Sequence, residues 1–268
     1  MLALNMTPAM RQHPPLVIHV PHASPVIPEK VRPTLRLNDD DLQHELRVMT
    51  DWYTDDLFSL PTHLATSVVF PVSRLVVDPE RFADDRCEPM AIKGMGAIYV
   101  RTSAGRVLRC DPSDDERENL LNTYYYPHHR SLATAIHDAL AVHGFSLMVD
   151  AHSFSSRPLD HEPDQTPNRC HICLGTDDFH TPSWLREFLK TAFEKLDYAV
   201  DENRPFSGTL VPPEFCQENK NVLSVMIEIN RSLYMDQVTG LRLPGFLRCQ
   251  SQLRQVLLDL AATSKSQL

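Results

Sequence analysis

Three apolar runs of strand length, each closing on side chains that bind metals or move protons, set the tightest limit on what this chain can fold into. Leu147-Met148-Val149-Asp150-Ala151-His152-Ser153 ends in a carboxylate, an imidazole and a hydroxyl. Val222-Leu223-Ser224-Val225-Met226-Ile227-Glu228 ends in a lone carboxylate, and Leu16-Val17-Ile18-His19-Val20-Pro21-His22 ends in two histidines. Short apolar runs of this kind read as buried strands. Open α/β sheets bind ligands beyond the carboxyl ends of their strands. The runs therefore point to an α/β fold with its chemistry gathered along one sheet edge.

The intervening segments agree. Residues 39–60 open on an acidic stretch and carry Leu42, Leu46, Met49, Tyr53 and Leu57 at helical spacing. A second helix is expected from Pro112, where Ser113 and Glu116 form a capping-box pair, to a stop at Gly144. Thr181-Pro182 begins a third, and a last one from about Pro244 carries Phe246, Leu253, Val256, Leu257 and Leu260. Strands are expected at 15–20, 66–70, 74–78, 97–101, 146–150, 170–174 and 222–229. This alternation predicts a mostly parallel or mixed central sheet with helices on both faces. The proline-rich stretch 154–169 reads as a surface loop, and 201–221 as a loop able to cover an active site.

At 268 residues the chain reads as one catalytic domain over 1–268, with 1–14 as an N-terminal tail. A formal net charge of −9 argues against nucleic acid or an anionic membrane surface as partner, so an anionic ligand must be met by locally placed arginines. No stretch has the length of a membrane span, and the first residues lack a signal-peptide pattern. Six scattered cysteines do not form a secreted disulfide framework, so reduced thiols in a cytoplasmic protein are expected. Neither a G-x-G-x-x-G nor a Walker pattern is present, which excludes the familiar nucleotide cradles. The oligomeric state is left open.

His22 and His152 each follow a strand end, and Asp51 sits oddly among the apolar neighbours of the first helix. Catalytic zinc takes three nitrogen and oxygen ligands and keeps a fourth position for water, a role that two histidines and an aspartate fill. Asp150, two residues before His152, is placed to orient it. The alternative is that each histidine is a surface or packing residue. Cys170-His171-Ile172-Cys173 lacks a second cysteine pair and falls in an expected strand, so packing accounts for it better than metal. Adjacent His128 and His129 diverge by about 100° on a helix and do not share one ion.

Six motifs in order resemble the N-formylglutamate amidohydrolase family: His19-Val20-Pro21-His22-Ala23-Ser24, Thr50-Asp51-Trp52, Ser73-Arg74-Leu75-Val76-Val77-Asp78, Asp150-Ala151-His152-Ser153, Asn203-Arg204-Pro205-Phe206-Ser207-Gly208 and Glu228-Ile229-Asn230-Arg231-Ser232-Leu233-Tyr234-Met235. The resemblance implies a phosphorylase/hydrolase-like architecture akin to zinc carboxypeptidases. It also implies one zinc ion per chain on His22, Asp51 and His152, with His19 as rival ligand, and a catalytic carboxylate at Glu228. Substrate contacts are implied at Arg74, Asp78, Arg81, Asn203, Gly208 and Arg231. The chain departs from the family pattern at Glu80, where an Asn usually precedes the Arg, and at Thr209, where a second Gly is common.

The function so implied is hydrolysis of N-formyl-L-glutamate, or a related small acidic N-acyl amino acid, to formate and the free amino acid, in histidine catabolism. Zinc acidifies water to a pKa of roughly 7 and polarises the carbonyl. Glu228 moves the proton to the leaving amine. Arg74 answers the developing oxyanion or a substrate carboxylate, and Arg81 and Arg231 clamp carboxylates through their planar forks. For Arg74 the competing reading is a salt bridge to Asp78. The rival functions are a metallocarboxypeptidase, a deacylase of another N-acyl amino acid or peptide, and a non-catalytic binding module.

Overall fold

The computed structural model describes residues 13–267, so most of the expected tail, residues 1–12, lies outside the described residues. Six strands, β1 (Leu16–Val20), β2 (Ala65–Val69), β3 (Ser146–Phe154), β4 (Ile172–Gly175), β5 (Val200–Glu202) and β6 (Val222–Asn230), form one sheet in the order β2-β1-β3-β6-β4-β5. The β2-β1-β3-β6 half is parallel throughout, whereas β4 runs antiparallel to β6 and parallel to β5. The expected α/β architecture with a mixed sheet is therefore present.

Period-two alternation divides the sheet's two faces. Leu16, Ile18, Leu147, Val149, Val225 and Ile227 pack into one core with Leu185 and Leu189 of α5 (Ser183–Glu194) and Leu253 and Leu257 of α6 (Phe246–Gln267). Val17, Val68 and Met148 pack on the other side against Leu132 and Ile136 of α4 (Tyr126–His143). His19, Asp150, His152 and Glu228 share the parity of this second face. Register pairs His19 with Asp150 and His152 with Glu228. Because β1, β3 and β6 are parallel, these polar residues all emerge at the same, carboxyl-terminal edge.

The segment expected as one helix over 39–60 is broken. The helix α1 (Asp39–Met49) ends at Thr50, whose ψ of 137° is extended, and Tyr53 adopts a φ of 67° before the single turn α2 (Thr54–Leu57). Asp51 thus lies in a kink rather than on a helix, with its N–H donated to the His22 carbonyl at 2.9 Å. The kink explains how a carboxylate in an apolar pattern escapes the core.

The strands expected at 74–78 and 97–101 do not form. Leu75, Val76 and Val77 are fully buried, but two separate clusters enclose them from different sides. The N–H groups of Leu75 and Val76 are taken up by Ser73 and their carbonyls by the Arg109 guanidinium, and the next N–H, of Asp78, goes to the Ala97 carbonyl, instead of a ladder. Apolar content marked burial there, and sheet pairing did not follow from it. The expected helix from Pro112 is present as α3 (Asp114–Leu120), a π-helical turn and α4, with the Ser113–Glu116 capping box formed and Gly144 at φ 77° closing it. The stretch 201–221 starts with the end of β5 and continues as a loop over the sheet edge.

Candidate metal centre and active site

The metal-ligand candidates His22, Asp51 and His152 converge. Their ligand atoms lie within 4.8 Å of one another, and all three residues are buried. Asp51 Oδ2 stands 3.0 Å from His152 Nδ1 and 3.7 Å from His22 Nδ1. His22 and Asp51 are fixed from behind. His22 Nε2 pairs with Asp78 Oδ1 at 2.8 Å, which leaves its Nδ1 turned inward with no hydrogen-bond partner. Asp51 Oδ1 accepts from Arg231 Nη2 at 2.8 Å, so its other oxygen faces the histidines. His152 Nε2 lies 3.3 Å from Asp150 Oδ1.

Two imidazoles and a carboxylate, held by outer carboxylates and a guanidinium, fit the donor set of a catalytic zinc ion. Burial of a nitrogen without a partner is costly, and a cation at this point removes that cost. Nearby carboxylates drive His152 towards its charged form despite its burial. The site therefore carries a deficit of positive charge.

Glu228, beside His152 in register, is buried, and its Oε2 has no partner. Desolvation pushes its carboxyl up to about 8; Asp51 and Glu80 act in the same direction, and His152 and Arg231 oppose them. A cleft of about 760 Å³ reaches His22, Asp51, His152 and Glu228 together. It is the size that small-molecule sites take.

The expected substrate residues divide. Arg74, Arg81, Gly208 and Arg231 line the cleft, whereas Asp78 and Asn203 do not. Arg74 donates through Nε and Nη2 to Asp78 Oδ2, so the salt bridge foreseen for it exists while part of the guanidinium still reaches the cleft. Arg81 is freer, with Nε unpartnered and 3.8 Å from Asp78. Arg231 makes four hydrogen bonds, to Asp51, the Ser153 hydroxyl and carbonyl, and the Val48 carbonyl. Asp78 is fully buried and binds His22, Arg74 and the Tyr99 hydroxyl, and the Arg74 guanidinium holds its carboxyl well below the usual range against desolvation.

Asn203 accepts from the N–H of Thr176 and of Gly208, and so shapes the loop rather than the wall. Gly208 needs its φ of 83°, and a Cβ on Gly175 would stand 2.1 Å from the Gly208 carbonyl. The two glycines let loop and strand touch.

Three residues of the site escaped the sequence reading. Glu80 reaches to 3.1 Å from His152 Nε2. Tyr99 donates to Asp78 at 2.5 Å, and His128 bonds Nε2 to Nε2 with His19 at 2.8 Å. His19 is fully buried and does not line the cleft; its Nδ1 pairs with Asp150 Oδ1 at 2.8 Å. For Glu80 the signal was present as a carboxylate following Asp78-Pro79, and for His128 as the paired histidines on α4.

A family model described as N-formylglutamate amidohydrolase matches residues 14–235. The chain belongs to this family. N-formylglutamate deformylase of Pseudomonas putida is 27% identical over 232 residues, which cover 83% of this chain and 82% of the relative. The Pseudomonas aeruginosa enzyme of the same name is 28% identical over 233 residues, with 83% of each chain covered. The crystal structure of N-formylglutamate amidohydrolase from Ralstonia eutropha superposes with a TM-score of 0.83 at 22% identity, covering 95% of both chains. A second structure, a gene product of Agrobacterium tumefaciens, gives 0.66 at 22% identity over 97% of this chain and 93% of that one. These likenesses establish the fold. Among the described residues, no helix is long and apolar enough to cross a membrane.

Proposed function

We propose that this protein is a zinc-dependent amidohydrolase that cleaves N-formyl-L-glutamate, or a closely related N-acyl amino acid, to formate or the corresponding acid and the free amino acid. One observation carries the reading: the partnerless atoms His22 Nδ1 and Glu228 Oε2 belong to residues that line one cleft with Asp51 and His152. The names of the Pseudomonas relatives support the substrate class.

His22, Asp51 and His152 hold the ion, which when bound supplies Lewis acidity to water and to the amide carbonyl. Asp78 fixes the His22 ring and Arg231 the Asp51 carboxylate in that orientation. Glu228 Oε2 takes a proton from the attacking water and delivers it to the nitrogen as the C–N bond breaks. Its desolvated setting keeps the proton affinity high enough for the second transfer. Arg81, and the part of Arg74 not engaged by Asp78, meet the substrate carboxylate. Arg231 acts on Asp51. Asn203 and Gly208 set the loop that covers the site.

The cleft also favours a second reading, a deacylase for a bulkier acyl amino acid. Phe82, Phe154, Phe206 and Met226 line it and give more apolar wall than a formyl group uses. A panel of N-formyl, N-acetyl and longer N-acyl derivatives of Glu, Asp and apolar amino acids, assayed before and after chelation, decides between them. Zinc-restored activity on N-formyl-glutamate is expected. Equal activity with the ion removed, or binding of every compound with turnover of none, would overturn the proposal.

A further inference from the structure

Beside the first cluster lies a second. Ligand atoms of His19, Glu80 and Asp150 also fall within 4.8 Å of one another. Glu80 straddles both groups. Its Oε2 is 3.1 Å from His152 Nε2 and 4.0 Å from His22 Nδ1, and its Oε1 is 3.8 Å from His19 Nδ1. Oε1 is buried and has no hydrogen-bond partner, and neither has His152 Nε2, whose side chain is 4% exposed. Asp150 Oδ1 completes the set, 2.8 Å from His19 Nδ1 and 3.3 Å from His152 Nε2.

The position of Glu80 is built. Its N–H is anchored to Asp78 Oδ1 at 3.0 Å, on the same oxygen that holds His22. His19 is prepared as a ligand too, because its Nε2 is engaged by His128, which leaves Nδ1 for the cluster. An outer-sphere partner on the remote nitrogen is how metal-bound histidines are oriented.

Charge points the same way. Asp51 pairs with Arg231 and Asp78 with Arg74. Glu80 and Asp150, which face the second cluster, have no guanidinium of their own among the described ion pairs. A carboxylate with one oxygen turned to each of two nitrogen–oxygen clusters is the arrangement that bridges paired ions, which in two-metal hydrolytic sites stand about 3.5–4 Å apart.

We infer that the centre holds two divalent cations, one on His22, Asp51 and His152 and one on His19 and Asp150, with Glu80 bridging them. The inference rests on the proposed first site and adds a second ion to it. Chelator-stripped protein is reloaded with Zn²⁺ or Mn²⁺, desalted, and its metal content measured by plasma mass spectrometry; the Mn²⁺ form is examined by electron paramagnetic resonance. Two ions per chain and an exchange-coupled Mn²⁺ spectrum are expected. Glu80→Gln should bring the count to one and the spectrum to that of an isolated ion. A parent protein that takes one ion overturns the second site and leaves the first standing, whereas one that takes none overturns both. Two coupled ions retained in Glu80→Gln refute the bridge.

Discussion

His152 and Glu228 stand on β3 and β6, strands paired through nine consecutive residues, whereas Arg74, Asp78, Glu80 and Arg81 stand on turns and irregular backbone outside any strand. Both regions border the cleft, but they position side chains by different means. Parallel strands fix the direction and spacing of every second side chain, so the proposed ligand and the proposed proton acceptor come out adjacent. The irregular stretch has no such ladder, and Asp78 takes its place. This one carboxylate, fully buried, gathers His22, Arg74, Tyr99 and the Glu80 N–H. On the proposed function, a rigid sheet supplies the reacting groups, and a single ionic knot supplies the residues that orient them and meet the substrate.

The strand side should show the largest effects. Glu228→Gln is expected to keep the ion and lose turnover by about 10²–10⁴-fold, the range for a general acid–base group. His152→Ala should lose ion and activity together. If Glu228→Gln turns over at the parent rate, the sheet edge does not carry the chemistry.

On the irregular side, Asp78→Asn releases His22 and Arg74 at once. Ion affinity should fall about 10–100-fold, as for other outer carboxylates, with KM rising because Arg74 shifts. Unchanged ion affinity would mean that the knot is merely structural. Arg81→Met should raise KM for an acidic substrate with little change in kcat, and steady-state kinetics at two salt concentrations would expose a purely long-range effect.

The smallest effects concern stability. Gly175→Ala drives a Cβ to within 2.1 Å of the Gly208 carbonyl, and a loss of about 1–3 kcal/mol is expected from denaturant unfolding. In ion-free protein, Glu228 has its folded-state pKa raised from 4.5 to about 8, chiefly by desolvation. The unfolded chain then sheds this proton first as pH rises, so its contribution to stability is whole below pH 4.5 and declines up to about 8. Melting curves of the ion-free parent should fall over that window, and those of Glu228→Gln should fall less. Parallel curves would place Glu228 in a wetter setting.

The contrast also explains what the sequence disclosed. The runs ending in His22, His152 and Glu228 were legible because strand periodicity and parallel topology carry their ends to one edge. Asp51 was legible as an anomaly, a carboxylate among leucines, though the kink at Thr50–Tyr53 that frees it was not. Leu75, Val76 and Val77 read as a strand because burial and sheet pairing leave the same apolar trace. Glu80 showed only as a carboxylate after Asp78-Pro79, and Tyr99 was invisible as a site residue, since its role depends on where Asp78 sits and no local periodicity encodes a contact across 21 residues. Arg231 was marked as a clamp by the family motif and its guanidinium, while its bonds to Asp51 and Val48, 180 and 183 residues away, left no trace in the local sequence.

Anomalous diffraction at the zinc absorption edge, on crystals of the zinc-reloaded protein, tests the central claim most directly. A peak about 2.0–2.2 Å from a nitrogen of His22, a nitrogen of His152 and an oxygen of Asp51, with Glu228 facing it, is the result expected. Anomalous density only elsewhere in the molecule, or none in protein that hydrolyses the substrate, would contradict it.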